Sequence, residues 1–562
     1  MLLDAENGNT KWFDAEQTEL SQIDEYDTFI DIGNEHPPDD YKKIRVHMVY
    51  DIKHDGRHKA RLVADGHLTQ VPAESVYSSV ASLRSIRLVV FLAELNGLEL
   101  WNTDVGNAYL ESYTSEKVYI RAGPEFGERE GHTLLISKAI YGLRSSGARW
   151  HDRFFDIMRD MGFFPCKMEP DVWMRAKDDH YEYIAVYVDD LVIASKEPNA
   201  IIKALESPPN NLKLKGTGPI KFHLGCDYTR DEDGTLCISP KSYIERFIAS
   251  FERLFGSKPS RKARSPLEKG DHPEIDFSEE LNEKDTKIYQ SLVGAFQWLV
   301  SLGRFDIATA TMTMSSFRAA PRKGHLERLK RMCAYIYNYK HFALRVRTQE
   351  PDYSSLEVPE YDWARQVYGD VKEDIPDDIP EALGKPVVHT CWKDANLYHC
   401  YATGRAVAGN IHALNGTIVD TTSKKLKTVD TATYGSEFVA ARIAIDQIID
   451  MRNTLRYLGV EVKGKTYLFG DNESVVTSAT IPHSGLNKRH NALSYHRVRE
   501  VIAAKFVAFI HIPGAINPSD ILSKHWGYSD VWPSLQAIFH YSGDTADLLE
   551  KERDAPNGES KG

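Results

Sequence analysis

Two adjacent aspartates between two apolar runs constrain this chain more than any other feature. Residues 183–195 read YIAVYVDDLVIAS, so Asp189 and Asp190 separate the runs IAVYV and LVIA. Both runs are short and rich in β-forming residues, which predicts two buried strands joined by a tight turn. A turn with only a structural role more often contains Asn-Gly or Asp-Gly. Two charges placed between buried strands therefore indicate a functional site, because desolvating them must be compensated.

A third carboxylate, Asp104, follows an apolar helical stretch at 85–99 and the short strand pattern LELWNT. If this strand shares a sheet with the Asp189–Asp190 hairpin, three carboxylates meet, and they repel one another unless divalent cations neutralise them. Nucleotide transfer uses two magnesium ions, one at the attacking hydroxyl and one at the triphosphate. The other Asp-Asp pairs, at 39–40, 178–179 and 377–378, are expected to be surface charges.

Four further acids lie in the C-terminal part, where strand and helix patterns alternate from about residue 385 and predict an α/β domain. Asp394 and Asp471 are each expected to end a strand. Glu437 is expected at the start of a helix, and Asp520 in the first turn of a last helix. Such acids can converge on one sheet edge and hold two metal ions for attack of water on a phosphodiester. Asp520 can also be explained as a structural acid at a helix N-terminus.

Charge is distributed unevenly along the 562 residues, whose net charge is -12. Residues 1–40 hold twelve acidic residues and one lysine, and residues 350–381 hold eleven acidic and two basic residues. The remainder therefore carries a net charge of +8, which suits a phosphate polymer as partner. The first segment is expected to be a poorly structured lead-in. The second, which proline punctuates, is expected to be a solvated linker.

Membrane segments and cysteine-based metal sites are not indicated. No stretch reaches the roughly 18 apolar residues that span a bilayer, and the first thirty residues lack the pattern of a signal peptide. The six cysteines contain no CxxC pair, so buried, reduced thiols are expected. These features favour a soluble, intracellular protein.

The carboxylate motifs of the first part resemble reverse transcriptases of copia-type (Pseudoviridae) LTR retrotransposons. YVDD at 187–190 resembles their hallmark box, and DVGNAYL at 104–110 resembles their first carboxylate motif. Further copia-like segments are HKARLVADG at 58–66, KAIYGLRSSGARW at 138–150, residues 220–244, and residues 289–310 with Pro321 and His325. The resemblance implies that Asp104 and Asp189 are the main metal ligands and that Asp190 is a third carboxylate with a weaker role.

The same resemblance implies a set of nucleotide-binding residues. Lys59 and Arg61 would grip the triphosphate, although a solvated strand face also explains them. The backbone of Val105 would lie near the triphosphate. Tyr109 occupies the position of an aromatic steric gate against a ribose 2′-hydroxyl, or is simply a core aromatic. Ser145 stands where the family keeps a glutamine that contacts the incoming nucleotide. This departure, and Arg304-Phe305-Asp306 in place of the family's RPD, put efficiency in doubt more than the type of reaction.

The C-terminal acids, in the order D, E, D, D, resemble ribonuclease H. The surrounding words resemble the copia version of that domain: DAN at 394–396, ATYGSEF at 432–438, DNESV at 471–475, KRHNALSYHRVRE at 488–500 and SDILSK at 519–524. The resemblance implies that all four acids are catalytic metal ligands. The loop at 513–517 contains no histidine, so none of His490, His496 and His511 is assigned a catalytic role.

The predicted fold class is α+β and α/β multidomain, with a right-hand polymerase (fingers, palm, thumb/connection) followed by an RNase H-like α/β domain. The predicted segments are an acidic lead-in and integrase-junction remnant at 1–40, fingers and palm at 41–255, a mainly helical thumb/connection at 256–348, an acidic linker at 349–384, an RNase H-like domain at 385–535 and a polar tail at 536–562.

The predicted function is an RNA-directed DNA polymerase with ribonuclease H activity. The resemblance implies two Mg²⁺ ions per active site, with Mn²⁺ as a substitute. It implies an RNA template, a DNA primer, dNTPs and an RNA–DNA hybrid as partners, with integrase and capsid proteins as further partners and no membrane. The expected location is the cytoplasm, in virus-like particles, with the nucleus as an alternative. The alternatives are a degenerate, non-catalytic nucleic-acid-binding remnant and an interaction protein that uses its acidic segments.

Overall fold

The computed structural model describes residues 2–52, 56–69, 75–363, 365–486, 489–527, 535 and 538–541. The chain divides into two compact units. The first unit comprises Met1–Ser82, Glu99–Arg175 and Glu182–Pro219, and the second comprises Leu83–Leu98, Ala176–Tyr181 and Ile220–Gly562. Among the described helices, none combines the length and apolarity that a bilayer-spanning segment needs.

The first unit is built on a four-stranded, a six-stranded and a two-stranded sheet. Its strands, with the parts of two that continue beyond it, are Phe29–Asp31, Lys42–Lys43, Val46–Ile52, His58–Ala64, Glu99–Val105, Val118–Arg121, Thr133–Ile136, Phe164–Pro165, Val172–Lys177, His180–Tyr187, Asp190–Ser195 and Leu214–Pro219. Its α-helices are Leu2–Asn7, Lys11–Glu25, Ser146–Asp160 and Pro198–Glu206, and its 3-10 helices are Gly66–Leu68, Ala108–Glu111 and Pro124–Arg129.

The six-stranded sheet contains the predicted hairpin. Strands His180–Tyr187 and Asp190–Ser195 pair antiparallel, with Tyr187 opposite Asp190, so the turn between them is as tight as the sequence predicts. Strand Glu99–Val105 pairs with the other side of Asp190–Ser195. Helix Ser146–Asp160 carries an apolar stripe at helical spacing that includes Trp150, Phe154 and Ile157, and this stripe joins the core beneath the sheet.

The acidic lead-in is structured, so the expectation of a poorly structured segment is wrong. Lys11–Glu25 form a helix that buries Leu20 and Ile23. Some of its acids have specific partners: Glu19 accepts the N–H of Leu62 at 3.1 Å, and Asp24 is 2.8 Å from Arg129. The high acid content predicted disorder, but the apolar residues of this segment, although few, fall on one helical face and can be buried.

Two segments lie outside the described residues. Strands Val46–Ile52 and His58–Ala64 pair as a hairpin, and residues 53–55 between them are not among the described residues. Most of the predicted tail at 536–562 also lies outside the described ranges.

The second unit combines helices with two five-stranded sheets. Its α-helices are Leu83–Asn96, Lys241–Phe255, Glu283–Ser301, Ala308–Ser315, Lys323–Asn338, Thr433–Tyr457, Glu473–Thr480 and Ala492–Ala503. Its 3-10 helices are Pro273–Ile275, Phe305–Ile307, Arg489–Asn491, Gly514–Ile516 and Pro518–Leu522. Its strands are Phe222–His223, Cys226–Arg230, Leu236–Ser239, Phe342–Arg345, His389–Cys400, Arg405–Leu414, Thr417–Lys425, Thr466–Gly470, Val507–His511 and His540–Tyr541.

The C-terminal sheet has an antiparallel half and a parallel half. Its order is Thr417–Lys425, Arg405–Leu414, His389–Cys400, Thr466–Gly470 and Val507–His511. The first three strands pair antiparallel, and the last two run parallel to His389–Cys400. Helices cover the parallel half through a shared apolar core. The predicted fold class, a multidomain chain of α+β and α/β parts, is confirmed. The residue boundaries of the domains stay a prediction.

The acidic segment 350–381 contains no helix or strand among its described residues, which agrees with the linker that the sequence predicts, and some of its acids have specific partners. Its acids pair with basic residues of the same unit: Lys463 lies 2.7 Å from Glu350, and Arg452 lies 2.7 Å from Glu373. Tyr457 also donates to Asp378 at 2.6 Å. Charge complementarity with residues distant in sequence, which composition does not reveal, holds this segment in place.

Candidate active sites

Strand register brings Asp104 next to the Asp189–Asp190 turn. Asp104 lies directly opposite Asp190 in the antiparallel pair of strands. The N–H of Val105 donates to the carbonyl of Asp189 at 2.8 Å, which ties the end of one strand to the turn of the hairpin. Directly opposed residues of an antiparallel pair are close neighbours. The juxtaposition of three carboxylates that the sequence predicts is therefore present.

The turn that carries these acids has a rigid support. Val188 has φ of +61°, a conformation that β-branched residues rarely adopt. Its carbonyl accepts a hydrogen bond of 2.7 Å from the indole of Trp150, in helix Ser146–Asp160. Strained residues persist only where their surroundings determine them, and such residues cluster at functional sites. The strain at Val188 thus agrees with a functional role for its neighbour Asp189.

The polymerase carboxylates experience mutual repulsion. Burial and the neighbouring Asp104 carboxylate raise the pKa of Asp189, whereas the positive charges of Lys59 and Arg61 lower it. Within the described structure, the oxygen atoms of the three acids do not all come within 4.8 Å of one another.

Arg61 and Tyr109 both lie near Asp189, and both contact Tyr141. The sequence prediction missed Tyr141. The rings of Tyr109 and Tyr141 are 4.8 Å apart in an edge contact, and the Arg61 guanidinium lies 5.3 Å from the Tyr141 ring centre. Burial and Asp189 raise the pKa of Tyr109. Among the described residues, Nε of Arg61 is buried without a hydrogen-bond partner. Tyr141 belongs to the YGL segment at 141–143, which was the only signal for it.

Ser145 is held by an acid that the sequence prediction also missed. Its hydroxyl donates to Oε1 of Glu116 at 2.8 Å, and its backbone N–H donates to the same oxygen at 3.0 Å. Ser145 is buried, directly before helix Ser146–Asp160. The side chain that replaces the family's glutamine is therefore engaged within the protein.

Three of the four nuclease acids converge closely. One oxygen each from Asp394, Glu437 and Asp471 lie within 4.8 Å of one another. Glu437 lies near the start of helix Thr433–Tyr457, and Asp471 directly follows strand Thr466–Gly470, as predicted. Burial and the Asp394 carboxylate raise the pKa of Asp471. Burial raises the pKa of Glu437 to about 7, with contributions from both neighbouring aspartates.

Asp394 does not end its strand, so that expectation is wrong. Strand His389–Cys400 continues past it, and Asp394 pairs with Gly409 of the next strand. A Cβ on Gly409 would lie 2.7 Å from the side chain of Leu522 and 2.9 Å from the carbonyl of Ser519. Because Gly409 has no side chain, the turn that contains Asp520 can pack closely against the strand at the position paired with Asp394.

Asp520 lies in the first turn of a helix, as expected, and this helix is the short 3-10 helix Pro518–Leu522. Pro518 begins it, and the side chain of Asn517 caps it by accepting the N–H of Ser519. Lys524 lies 2.8 Å from Asp520 and 4.0 Å from Asp394. Burial and Asp394 raise the pKa of Asp520 to about 7.

A buried lysine at the nuclease site was missed. Lys393 is 0% exposed, and its ammonium group forms an ion pair with Oε2 of Glu437. Neighbouring residues of a strand point to opposite faces of the sheet. Lys393 is next to Asp394 in the strand, so this alternation did not predict that Lys393 would contact Glu437, another acid of the same site. The only signal was a lysine inside an otherwise buried strand pattern, HTCWKDA.

The donor set of the nuclease site fits a hard divalent cation. Mg²⁺ binds oxygen ligands at about 2.1 Å, which places those ligands roughly 3 to 4 Å apart. The three oxygens within 4.8 Å of one another need only a small contraction to reach that spacing. Carboxylate oxygens are also the ligands that Mg²⁺ and Mn²⁺ prefer. Asp394, Glu437 and Asp471 are thus able to hold such an ion.

The cysteines agree with the buried, reduced thiols expected of them, and the three histidines contact other residues. His511 lies 3.2 Å from the carbonyl of Asp471, His496 pairs with Tyr368, and His490 is 3.8 Å from Asp430. All six cysteines are buried and free.

Comparison with known proteins gives the family. Residues 33–260 match the family model described as "Reverse transcriptase (RNA-dependent DNA polymerase)". The chain is 24% identical over 504 residues to the retrovirus-related Pol polyprotein from transposon TNT 1-94 of Nicotiana tabacum, and 22% identical over 476 residues to that from transposon RE1 of Arabidopsis thaliana. These matches support the prediction of a reverse transcriptase region from a copia-type LTR retrotransposon polyprotein.

This copia-type region spans about a third of the length of its plant relatives. The alignments cover 87% and 83% of the chain but 35% and 29% of the two polyproteins. A putative transposon Ty5-1 protein of Saccharomyces cerevisiae is 27% identical over 292 residues, covering 50% of this chain and 86% of the yeast protein. A solved foamy viral protease-reverse transcriptase in complex with dsDNA aligns with 90% of this chain and 84% of its own, at 12% identity and a TM-score of 0.47.

Proposed function

We propose that this copia-type reverse transcriptase region is an RNA-directed DNA polymerase with ribonuclease H activity. It would copy retrotransposon RNA into DNA and degrade the RNA strand of the resulting hybrid. The observation that carries the proposal is the pairing of Asp104 with the Asp189–Asp190 turn inside the segment that matches reverse transcriptases. The convergence of Asp394, Glu437 and Asp471 supports the nuclease activity.

Asp104 and Asp189 would hold divalent cations at the polymerase site, with Asp190 as a third carboxylate. Mg²⁺, or Mn²⁺ in its place, would supply Lewis acidity toward the primer hydroxyl and charge neutralisation at the triphosphate when bound. Burial, and then the negative charge of Asp104, raise the pKa of Asp189, and a bound cation would compensate both effects. The strained turn fixes Asp189, so little reorganisation is needed during the reaction.

The nucleotide-binding residues surround the same carboxylates. Arg61, whose Nε atom has no hydrogen-bond partner among the described residues, would donate to triphosphate oxygens beside Lys59. Tyr109, held by the edge of Tyr141, would exclude a ribose 2′-hydroxyl. The backbone of Val105, which is tied to Asp189, would lie near the triphosphate.

At the nuclease site, Asp394, Glu437 and Asp471 would hold divalent cation and position water for attack on the phosphodiester. The pKa of Asp520 is raised to about 7, so this carboxyl exchanges its proton near neutral pH. It is therefore suited to protonate the departing ribose oxygen. The partners proposed for the chain are an RNA template, a DNA primer, dNTPs and an RNA–DNA hybrid, with integrase and capsid as further partners.

The polymerase half is tested by primer extension on an RNA template with Mg²⁺. The wild-type chain should extend a DNA primer, and Asp189→Asn should abolish extension while cleavage of a preformed hybrid continues. Asp178→Asn is the matched control, because Asp178 belongs to an exposed Asp-Asp pair and already has a φ of +53°, which asparagine tolerates. It should extend like the wild type. Failure of the wild type to extend, with hybrid binding retained, would refute the polymerase proposal.

One observation favours the alternative of a non-catalytic binder. The hydroxyl of Ser145 is engaged by Glu116, so it lacks the reach of the glutamine that the family keeps at this position. Ser145→Gln distinguishes the two functions. A polymerase with reduced efficiency should gain nucleotide affinity from this change, whereas a remnant that lacks activity should gain nothing.

A further inference from the structure

Lys393 places a fixed positive charge inside the nuclease carboxylate cluster. Its side chain is 0% exposed, and its ammonium group contacts Oε2 of Glu437, which is itself 3% exposed. Lysine is rarely buried completely unless it is paired, so a buried lysine beside a buried carboxylate indicates a matched pair.

The fold makes specific room for this lysine. A Cβ on Gly470 would lie 2.4 Å from Cε of Lys393 and 3.1 Å from its Nζ, so glycine at position 470 leaves room for the lysine side chain in its observed position. The ammonium group lies 5.7 Å from the ring centre of Phe509. The fully buried Asn517 donates to the carbonyl of Lys393 at 3.0 Å and thereby fixes its backbone.

The two lysines of the site differ in what holds them. Lys524, which pairs with Asp520, has 41% of its side chain exposed, so solvent or a cation can replace it. The side chain of Lys393 is 0% exposed and cannot leave Glu437 without leaving a buried carboxylate unpaired. Lys393 therefore stays beside Glu437, one of the four acids, whereas Lys524 can be displaced from Asp520.

We propose that the Lys393 ammonium supplies, at Glu437, the positive charge that a second divalent cation would otherwise supply, so that the nuclease site takes one cation, held mainly by Asp394 and Asp471. This inference rests on the proposed nuclease function and refines it. Lys393 acts through Glu437 and is therefore a positioning residue. A second cation close to Lys393 would be repelled by a charge that solvent does not screen.

Counting bound Mn²⁺ tests the proposal. The full chain is used with Asp104→Asn and Asp189→Asn, which remove the polymerase site, and bound ions are counted from the paramagnetic resonance signal of free Mn²⁺. A chain that also carries Asp394→Asn and Asp471→Asn gives the non-specific baseline. Above that baseline, the chain with Lys393 should bind one ion, and Lys393→Met should bind two. Lys463→Met, which removes a lysine paired elsewhere in the same unit, should leave the count at one.

Glu437→Gln keeps the test decisive if Lys393→Met does not fold. With Lys393 present, Glu437→Gln should leave the count at one, because the lysine already occupies that carboxylate. The proposal would be overturned if the chain with Lys393 bound two ions and Glu437→Gln reduced the number to one. It would also be overturned if a folded Lys393→Met chain bound only one ion. Hybrid cleavage by the chain is measured in parallel. If the chain cleaves the hybrid while two ions bind, only this inference fails. If the chain does not cleave at any Mn²⁺ concentration, the proposed nuclease function fails.

Discussion

The two carboxylate clusters of this chain meet the same problem, the repulsion between acids, in different ways. At the polymerase cluster, the charges of Lys59 and Arg61 lower the pKa of Asp189, and the oxygens of its three acids do not all lie within 4.8 Å of one another in the described structure. At the nuclease cluster, three acids come within 4.8 Å of one another, and Lys393 and Lys524 contact Glu437 and Asp520 directly. The difference is that a fully buried lysine compensates one acid of the nuclease cluster.

Removal of divalent cations should have the largest effect. EDTA should lower both primer extension and hybrid cleavage by about 10³-fold or more, because a catalytic cation contributes several kcal/mol and about 1.4 kcal/mol corresponds to a factor of ten. On titration with Mg²⁺, extension should recover more steeply than cleavage, since the nuclease site needs fewer ions. Both rates are measured on the same protein preparation. Recovery with equal steepness would remove the distinction between the clusters.

Truncation of Arg61 should affect the polymerase alone. Arg61→Ala should raise the KM for dNTP about 10- to 100-fold, because a hydrogen bond to a charged group contributes about 1.5–3 kcal/mol. Single-nucleotide incorporation gives the KM, and hybrid cleavage should be unchanged. The exposed Arg253→Ala is a control for the loss of one positive charge. An unchanged KM for dNTP in Arg61→Ala would show that Arg61 does not bind the triphosphate and lies on a solvated strand face.

The aromatic ring of Tyr109 should set sugar selectivity. Tyr109→Ala should raise the relative efficiency of rNTP over dNTP incorporation by about 10- to 100-fold, in the range that steric discrimination provides. Tyr109→Phe keeps the ring and should retain the preference for dNTPs. If Tyr109→Ala folds and its selectivity does not change, the residue is only part of the core.

The smallest effect concerns stability, and it should appear at the nuclease cluster. Burial raises the pKa of Glu437 from 4.5 to about 7. Between these two values, the folded protein keeps a proton that the unfolded chain releases, so stability should fall as the pH rises through this window. Thermal unfolding in EDTA should show a decline of a few degrees, and Glu437→Gln should make the decline smaller without removing it, because Asp520 also has a pKa raised to about 7. The exposed Glu461→Gln should show the full decline, and a flat wild-type profile would contradict the raised pKa of Glu437.

Local patterns sufficed to predict the parts of both sites that depend on short segments. The hairpin around Asp189 was predictable because two β-rich runs flank a turn of minimal length, and Asp104 because a strand precedes it. The order of strands and helices around Glu437 and Asp471 also follows from local periodicity. These features require no knowledge of which distant residues meet.

The parts that could not be predicted depend on distant partners. Lys393 is buried because Gly470, on another strand, leaves room for it. The segment 350–381 is held by basic residues that follow it in the chain, such as Arg452. Tyr141 and Glu116 matter only through their contacts with Tyr109 and Ser145. No local pattern contains such information.

The central claim is that one chain carries two independent active sites, and a single assay with two readouts tests it most directly. Asp104→Asn and Asp394→Asn are each given an RNA template with a labelled DNA primer and, separately, a preformed hybrid with labelled RNA. Asp104→Asn should cleave the hybrid without extending the primer, and Asp394→Asn should extend the primer and leave the RNA intact. Loss of both activities in either folded variant would contradict the account.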